Sequence, residues 1–516
     1  MKRLPIGIQS FQKIRSDNFY YVDKTPYVKR LVEEGGGYFF LARPRRFGKS
    51  LFLDTLRQAF LGKRELFEGL FLQNNWNWDT TYPVIHISFG AGVYRNIEEL
   101  RDTLESLLID WKNEFSIRYE KKSIKDRFNE AIVKISEGLK QRVVVLIDEY
   151  DKPILDNIER RDVAQEIRDE LKNFYSVLKD ADPYLKFVFI TGVTKFSKVS
   201  IFSGLNNLND ITLDESYAAI CGYTQEELEL VFKERLEGIS LEEVKMWYNG
   251  YSWGNGTLYN PFDILLFLDK KRFRPYWFET GTPTFLIRLL QERRYFIPDL
   301  EHLEASERII GSFDIDYLDV ETLLFQTGYL TIKDMIKIGD RENYLLGYPN
   351  LEVRMSLTDY ILDFYVRNAS TKEKNIIKFY KALSSNDFAR LKEIFHAFFA
   401  SIPHDWYRKN QLLDYEGYYA SIFYCYFTAL GLDVRVEDST NHGRLDMAVV
   451  FEGKRVYIFE FKVKELAPDG QALAQLKEKK YHEKYMGNYQ EIYLVGVEFS
   501  REERNIIGFE VEEATS

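Results

Sequence analysis

Residues 43–50 read Arg43-Pro44-Arg45-Arg46-Phe47-Gly48-Lys49-Ser50; the apolar run Tyr38–Ala42 precedes them and the helical pattern SLFLDTLRQAF, residues 50–60, follows. Strand, Gly-Lys-Ser turn and helix in that order make a phosphate cradle, because the N–H groups of the turn and the helix N-terminus converge on one anion. On this reading Arg46, Phe47, Gly48, Lys49, Ser50 and Leu51 line the cradle. Lys49 reaches the outer phosphates of ATP and Ser50 ligates Mg²⁺. One position departs from the G-x-x-x-x-G-K-[ST] pattern: Arg43 stands where the first glycine belongs. Three readings are open for Arg43, Arg45 and Arg46, namely phosphate contact, contact with a neighbouring subunit, and an exposed basic turn.

A second element lies in the same region. The run 142–151, RVVVLIDEYD, is an apolar strand that ends on Asp148 and Glu149. Asp148 is expected to hold the Mg²⁺ through water and Glu149 to polarise the attacking water, since hydrolysis needs a base beside the γ-phosphate. Thr191 and Thr194, in ITGVT after a further apolar run, put hydroxyls at the C-terminal edge of the sheet. There one of them either senses the γ-phosphate or satisfies the turn. Tyr38–Ala42, Val84–Ser88, Val143–Ile147 and Phe187–Thr191 are continuous apolar runs spaced by amphipathic stretches. That alternation predicts a parallel sheet buried on both faces.

The other end of the chain carries a different constellation. Gly443-Arg444-Leu445-Asp446 opens an apolar strand, and Glu460 and Lys462 interrupt the next one, VYIFEFKV. Alternate residues of a strand share a face, so Glu460 and Lys462 point the same way, and a hairpin near Glu452–Gly453 brings Asp446 beside them. Two carboxylates and an ammonium on adjoining strands suit phosphodiester cleavage. Hard Mg²⁺ prefers carboxylate oxygen, orients a water and screens the scissile phosphate, while Lys462 positions the nucleophile or stabilises charge. Glu416, early in the preceding helical stretch, is a candidate further ligand. An exposed strand of alternating charge is the competing reading, but isolated charges in so apolar a strand are costly.

Length and composition set the frame. At 516 residues the chain exceeds a single core. Hydrophobic residues make up 45% and charged residues 29%, as in ordinary globular proteins. The net charge of −10 argues against a DNA-coating role and confines any DNA contact to a local basic surface. Two cysteines make neither a disulfide framework nor a zinc site, which fits a reducing cytoplasm, and no apolar run reaches membrane-spanning length. The expected architecture is α/β and multidomain. It comprises a P-loop ATPase domain (1–215), a helical lid (216–300) broken by the Gly- and aromatic-rich segment 247–265, and a middle α+β module (301–370), either winged-helix or a packing element. A mixed αβββαβ domain (371–516) follows.

RPRRFGKSL, the IDEYD strand, YVDKT at 21–25, YNGYSW…YNPFDIL, QTGYLTIK at 326–333 and PNLEVRMSL at 349–357 together resemble a bacterial AAA-ATPase-like family with a C-terminal PD-(D/E)xK nuclease domain. The resemblance covers nearly the whole chain. In that family the same arginine replaces the first P-loop glycine, so Arg43 does not by itself imply an inactive site. It also implies a restriction-endonuclease-like C-terminal fold, in which Gln475 matches a position that supports the site or touches the nucleic-acid backbone. The expected function is an ATP-dependent switch or motor joined to a Mg²⁺-dependent nuclease acting on DNA, in DNA processing or defence. Two alternatives stand beside it: a regulatory or scaffolding protein whose nuclease fold binds nucleic acid without cutting, and an ATPase acting on a protein partner. A homo-oligomer is compatible with each.

Overall fold

The computed structural model describes residues 1–33, 37–195, 201–202, 205, 207–278, 284–293, 295–311, 319–339, 341–365, 369–401, 416–436, 439–440, 443–444, 446–466 and 470–514. The chain divides into two compact units, Met1–Thr280 with Glu304–Asn350, and Gly281–Leu303 with Leu351–Ser516. The stretch read from sequence as one middle module, 301–370, is thus shared between them.

In the first unit, β1 (Tyr38–Ala42), β2 (Val84–Ser88), β3 (Val143–Asp148), β4 (Leu185–Gly192) and β5 (Asn209–Asp210) form one sheet of order β2-β3-β4-β1-β5. Every recorded pairing in it is parallel. Residues of β1 and β3 are buried without exception, as runs of Phe, Val, Leu and Ile covered by helices on both faces must be. Parallel pairing turns the C-terminal ends of β1, β3 and β4 to one edge, where Ala42 lies in register with Gly192 and Leu41 with Thr191.

The YVDKT segment is tied down by polar contacts. The Lys24 ammonium donates to both oxygens of Glu227 (2.7 Å) and to the Ala219 carbonyl (2.8 Å). Asp23 accepts from the amides of Thr25 and Phe71. The strands β7 (Thr331–Ile338) and β8 (Arg341–Gly347) pair antiparallel, and with β6 (Leu303–Ser306) make a sheet of order β6-β8-β7. The sequence pattern starts the first of these strands at Tyr329. The structure delays it because Tyr329 and Leu330 donate back to the Leu324 carbonyl of the preceding helix, Val320–Thr327, across the left-handed Gly328 (φ 93°).

The second unit begins with helices and ends on a mixed sheet. Its strands are β9 (Asp433–Val436), the short pair β10 (Ser439–Thr440) and β11 (Gly443–Arg444), β12 (Met447–Phe451), β13 (Arg455–Val463), β14 (Glu491–Ser500) and β15 (Asn505–Glu513). The five-stranded sheet runs β15-β14-β13-β12-β9, with β13 and β14 parallel and the other pairs antiparallel. One face takes the helix Glu416–Ala429, whose Phe423 and Phe427 meet the rings of Phe459 and Phe461. Ile458 lies on the opposite face, in a core with Leu476, Tyr481 and Tyr485. The helix Gln471–Lys479 covers that second face, and Glu460 and Lys462 follow Ile458 onto it by strand alternation. The strand β15 was not anticipated from sequence; its outward-facing glutamates, Glu510, Glu512 and Glu513, dilute the apolar pattern.

Candidate nucleotide and metal sites

The first site forms where β1 passes into the helix Lys49–Phe60. Gly48 takes a left-handed conformation (φ 94°) at the N-cap of this helix, and Arg46 takes one as well (φ 66°). Lys49 is nearly buried, and its ammonium donates to the carbonyls of Arg43 (2.8 Å) and Pro44 (2.9 Å). Burial lowers its pKa, against the pull of Glu149, Asp148 and Asp151. Ser50 is the second residue of the helix and is half-buried, with Leu51 next. Phe47 is fully buried, packed edge-on against Tyr251 (5.0 Å) and Trp253 (5.1 Å). The aromatic segment 247–265 is therefore the floor of the loop, a role its composition alone did not disclose.

Arg43 narrows the readings the sequence leaves open. It is 1% exposed, so it lies in no basic turn at the surface. Its guanidinium donates to the carbonyls of Ala42, Thr212, Tyr217 and Ala218 and stacks 4.1 Å from the centre of Trp253. Burial brings its pKa down to about 10. Arg45 and Arg46 are exposed, and Arg46 lies over the ring of Phe262 at 4.5 Å.

Asp148 ends β3, and its Oδ1 accepts from the Thr191 hydroxyl at 2.6 Å. Glu149 has left-handed backbone (φ 53°), and burial raises its carboxyl pKa although Lys49 opposes the rise. A Cβ at Gly90 would come within 3.2 Å of Glu149 Oε2, so the glycine leaves that carboxylate its space. Thr194 donates to Asp151 through both its amide and its hydroxyl (2.6 Å each). Asp151 is fully buried and its carboxyl pKa is raised by that burial. Asp151 escaped the sequence reading because the Asp-Glu pair two residues earlier carries the recognisable pattern.

The second site lies on β13. Glu460 is 1% exposed; its Oε1 accepts from Lys462 Nζ at 3.0 Å and from the side-chain amide of Gln475. Asp446 immediately precedes β12, whose first residue Met447 pairs with Phe459, the neighbour of Glu460. Asp446 Oδ2 accepts from the Phe461 amide at 2.8 Å. Glu416 is the first residue of its helix, and its side chain lies outside the described residues. Two neighbours were not foreseen. Tyr481 is buried, its pKa raised by burial and then by the charge of Glu460, and it hydrogen-bonds Gln475. Glu498 on β14 is in register with Lys462 and therefore on its face; it is 9% exposed, and among the described residues its Oε1 has no hydrogen-bond partner. Only the strand register reveals Glu498, because no motif spacing reaches it.

Comparison with known proteins fits this geometry. Residues 5–202 match the family described as "Predicted AAA-ATPase", and residues 414–509 match the PD-(D/E)XK nuclease superfamily. A protein of Azotobacter chroococcum mcd 1, described as "Uncharacterized protein in vnfD 5'region", is 52% identical over 512 residues, covering 99% of each chain. The chain belongs to the family of that protein, one that joins an AAA-ATPase-like N-terminal domain to a PD-(D/E)XK nuclease-type C-terminal domain. Among solved structures, the Aeropyrum pernix ORC1 protein in complex with DNA aligns over 65% of this chain and 91% of its own, at 11% identity. The TM-score is 0.26, a likeness too slight to carry an argument. Among the described residues no helix is long and apolar enough to cross a membrane.

Proposed function

We propose that the chain binds and hydrolyses ATP in its first unit and cleaves DNA phosphodiester bonds with a divalent metal in its second, in DNA processing or defence against foreign DNA. One observation carries the reading. Each unit buries a charged group beside its opposite: Lys49 near Asp148 and Glu149 in the first, and Glu460 against the half-buried Lys462 in the second. Desolvating charge is costly and is offset by pairing or by a charged ligand, so such buried charge clusters suit sites that take a metal ion or a phosphate.

The donor sets fit Mg²⁺. Asp446 and Glu460 in one site, Ser50 and Asp148 in the other, offer hard oxygen. Among the described residues no three His, Cys, Asp or Glu side chains form a cage. Mg²⁺ commonly keeps several waters and substrate oxygens around one or two carboxylates. When bound, the ion supplies charge neutralisation and a more acidic water. The protein's own groups do the remainder. The Phe461 amide fixes Asp446, Gln475 orients Glu460, and Lys462 faces the charge that develops on phosphate. In the first unit Lys49 and the loop amides take the phosphates, Thr191 holds Asp148, and Glu149 accepts the proton of the attacking water.

The deciding experiment incubates the purified chain with circular, linear and single-stranded DNA, with Mg²⁺ or Mn²⁺, with and without ATP. Metal-dependent nicking lost in Asp446→Ala supports the reading. DNA binding without cleavage favours a scaffold that only holds nucleic acid, and ATP turnover with neither favours an ATPase acting on a protein.

A further inference from the structure

The C-terminal turn of the helix Val320–Thr327 touches both walls of the nucleotide site. Gln326 is 6% exposed. Its Oε1 accepts from the Lys195 amide at 2.9 Å, one residue past Thr194, and its Nε2 donates to the Ile310 carbonyl at 3.1 Å. Two residues on, Gly328 abuts the P-loop: a Cβ there would lie 2.7 Å from Pro44 Cβ. Pro44 is the residue whose carbonyl, with that of Arg43, holds the Lys49 ammonium. Tyr329 then packs on Trp277 (5.3 Å), whose indole N–H donates to the Arg45 carbonyl at 3.2 Å. A single hydrogen-bonded turn thus reaches from the loop that carries Lys49 to the strand end that carries Thr191 and Thr194.

From this geometry we infer that Gln326 and Gly328 are positioning residues of the nucleotide site, setting the spacing between the P-loop and the end of β4. The inference rests on the ATPase reading above and adds residues that no P-loop pattern contains. The two act on different steps. Gln326 holds the β4 end, beside the Thr191–Asp148 bond that orients the candidate metal-side carboxylate and the Thr194–Asp151 bond next to it. Loss of its bond to Lys195 loosens the catalytic wall and leaves the phosphate cradle intact. Gly328 leaves room for Pro44. A methyl group there pushes on the cradle, so the effect falls on binding.

The test measures ATP affinity, steady-state turnover and thermal melting on the full-length chain. Gln326→Leu and the gentler Gln326→Asn are expected to lower kcat about tenfold, the rate equivalent of one buried hydrogen bond, with ATP affinity within about twofold of wild type. Gly328→Ala is expected to weaken ATP binding about tenfold, through the close contact and its positive φ. Wild-type kcat in a folded Gln326→Leu or Gln326→Asn chain overturns the inference while leaving the ATPase reading in place. So does equal loss of kcat and affinity in all the variants, which marks a purely structural role. A wild-type chain that binds no ATP overturns the ATPase reading itself, and this inference with it.

Discussion

Arg43 shows how one residue is read differently at two levels. In the motif it is a missing glycine; in the fold it is a staple that spends its donors on the carbonyls of Ala42, Thr212, Tyr217 and Ala218. Restoring the consensus should therefore harm the protein. Arg43→Gly is expected to cost about 3 kcal/mol, because charged hydrogen bonds to buried carbonyls and the Trp253 stack vanish together. An unchanged first transition in urea would contradict the staple. Lys49 and Glu149 carry the opposite kind of prediction. Lys49→Ala should abolish tight ATP binding without unfolding the chain, since it removes the cation that faces the phosphates. Glu149→Gln should bind ATP and lose turnover, leaving a nucleotide-loaded state. Equal ATP affinity for Lys49→Ala and wild type removes the P-loop assignment, and normal hydrolysis by Glu149→Gln removes its role as base.

Elements were legible where burial is two-sided and pattern-bearing. The limits of β1 and β2 coincide with their apolar runs, and β3 and β4 extend theirs by one to three residues. The Gly48-Lys49-Ser50 turn and the alternation of Glu460 with Lys462 were readable because both depend on local geometry. What escaped depends on distant partners. The purpose of the 247–265 segment needs Phe47 to be seen between Tyr251 and Trp253. Tyr481 needs the helix carrying Gln475 to be folded over β13, and Glu498 needs the register of β14. The pairing of β12 with β13 also carries a prediction. Asp446→Ala or Glu460→Gln should lower metal-dependent cleavage by on the order of 10²-fold or more, whereas Lys462→Met should lower cleavage but spare metal affinity. Isothermal titration with Mn²⁺ beside a nicking assay separates them. Undiminished Mn²⁺ affinity in both carboxylate variants would show that the ion is held elsewhere.

At the scale of the whole molecule the two sites belong to different compact units, Lys49 and Asp148 to one and Asp446 and Glu460 to the other. Any influence of nucleotide on cleavage is a shift between conformational states that bind ATP unequally. The chain's own route is informative. It leaves the first unit after Thr280, returns at Glu304 and leaves again after Asn350. The returning stretch, 304–350, is the one that carries Gln326 and Gly328 against the walls of the nucleotide site, and both of its ends run directly into the second unit. That connectivity motivates the coupling prediction, because chain beside either wall continues into the nuclease-type unit at two points. We predict that ATP changes the cleavage rate or substrate preference of the wild-type chain. Lys49→Ala should abolish that change and leave nucleotide-independent, metal-dependent cleavage as it was. Coupling energies between sites commonly run about 1–3 kcal/mol, so a rate ratio of roughly 5 to 150 between ATP-loaded and nucleotide-free chain is the range to look for. Cleavage at one rate without nucleotide, with ADP and with ATP, on every DNA substrate tried, would establish two independent activities on one chain and end the case for coupling.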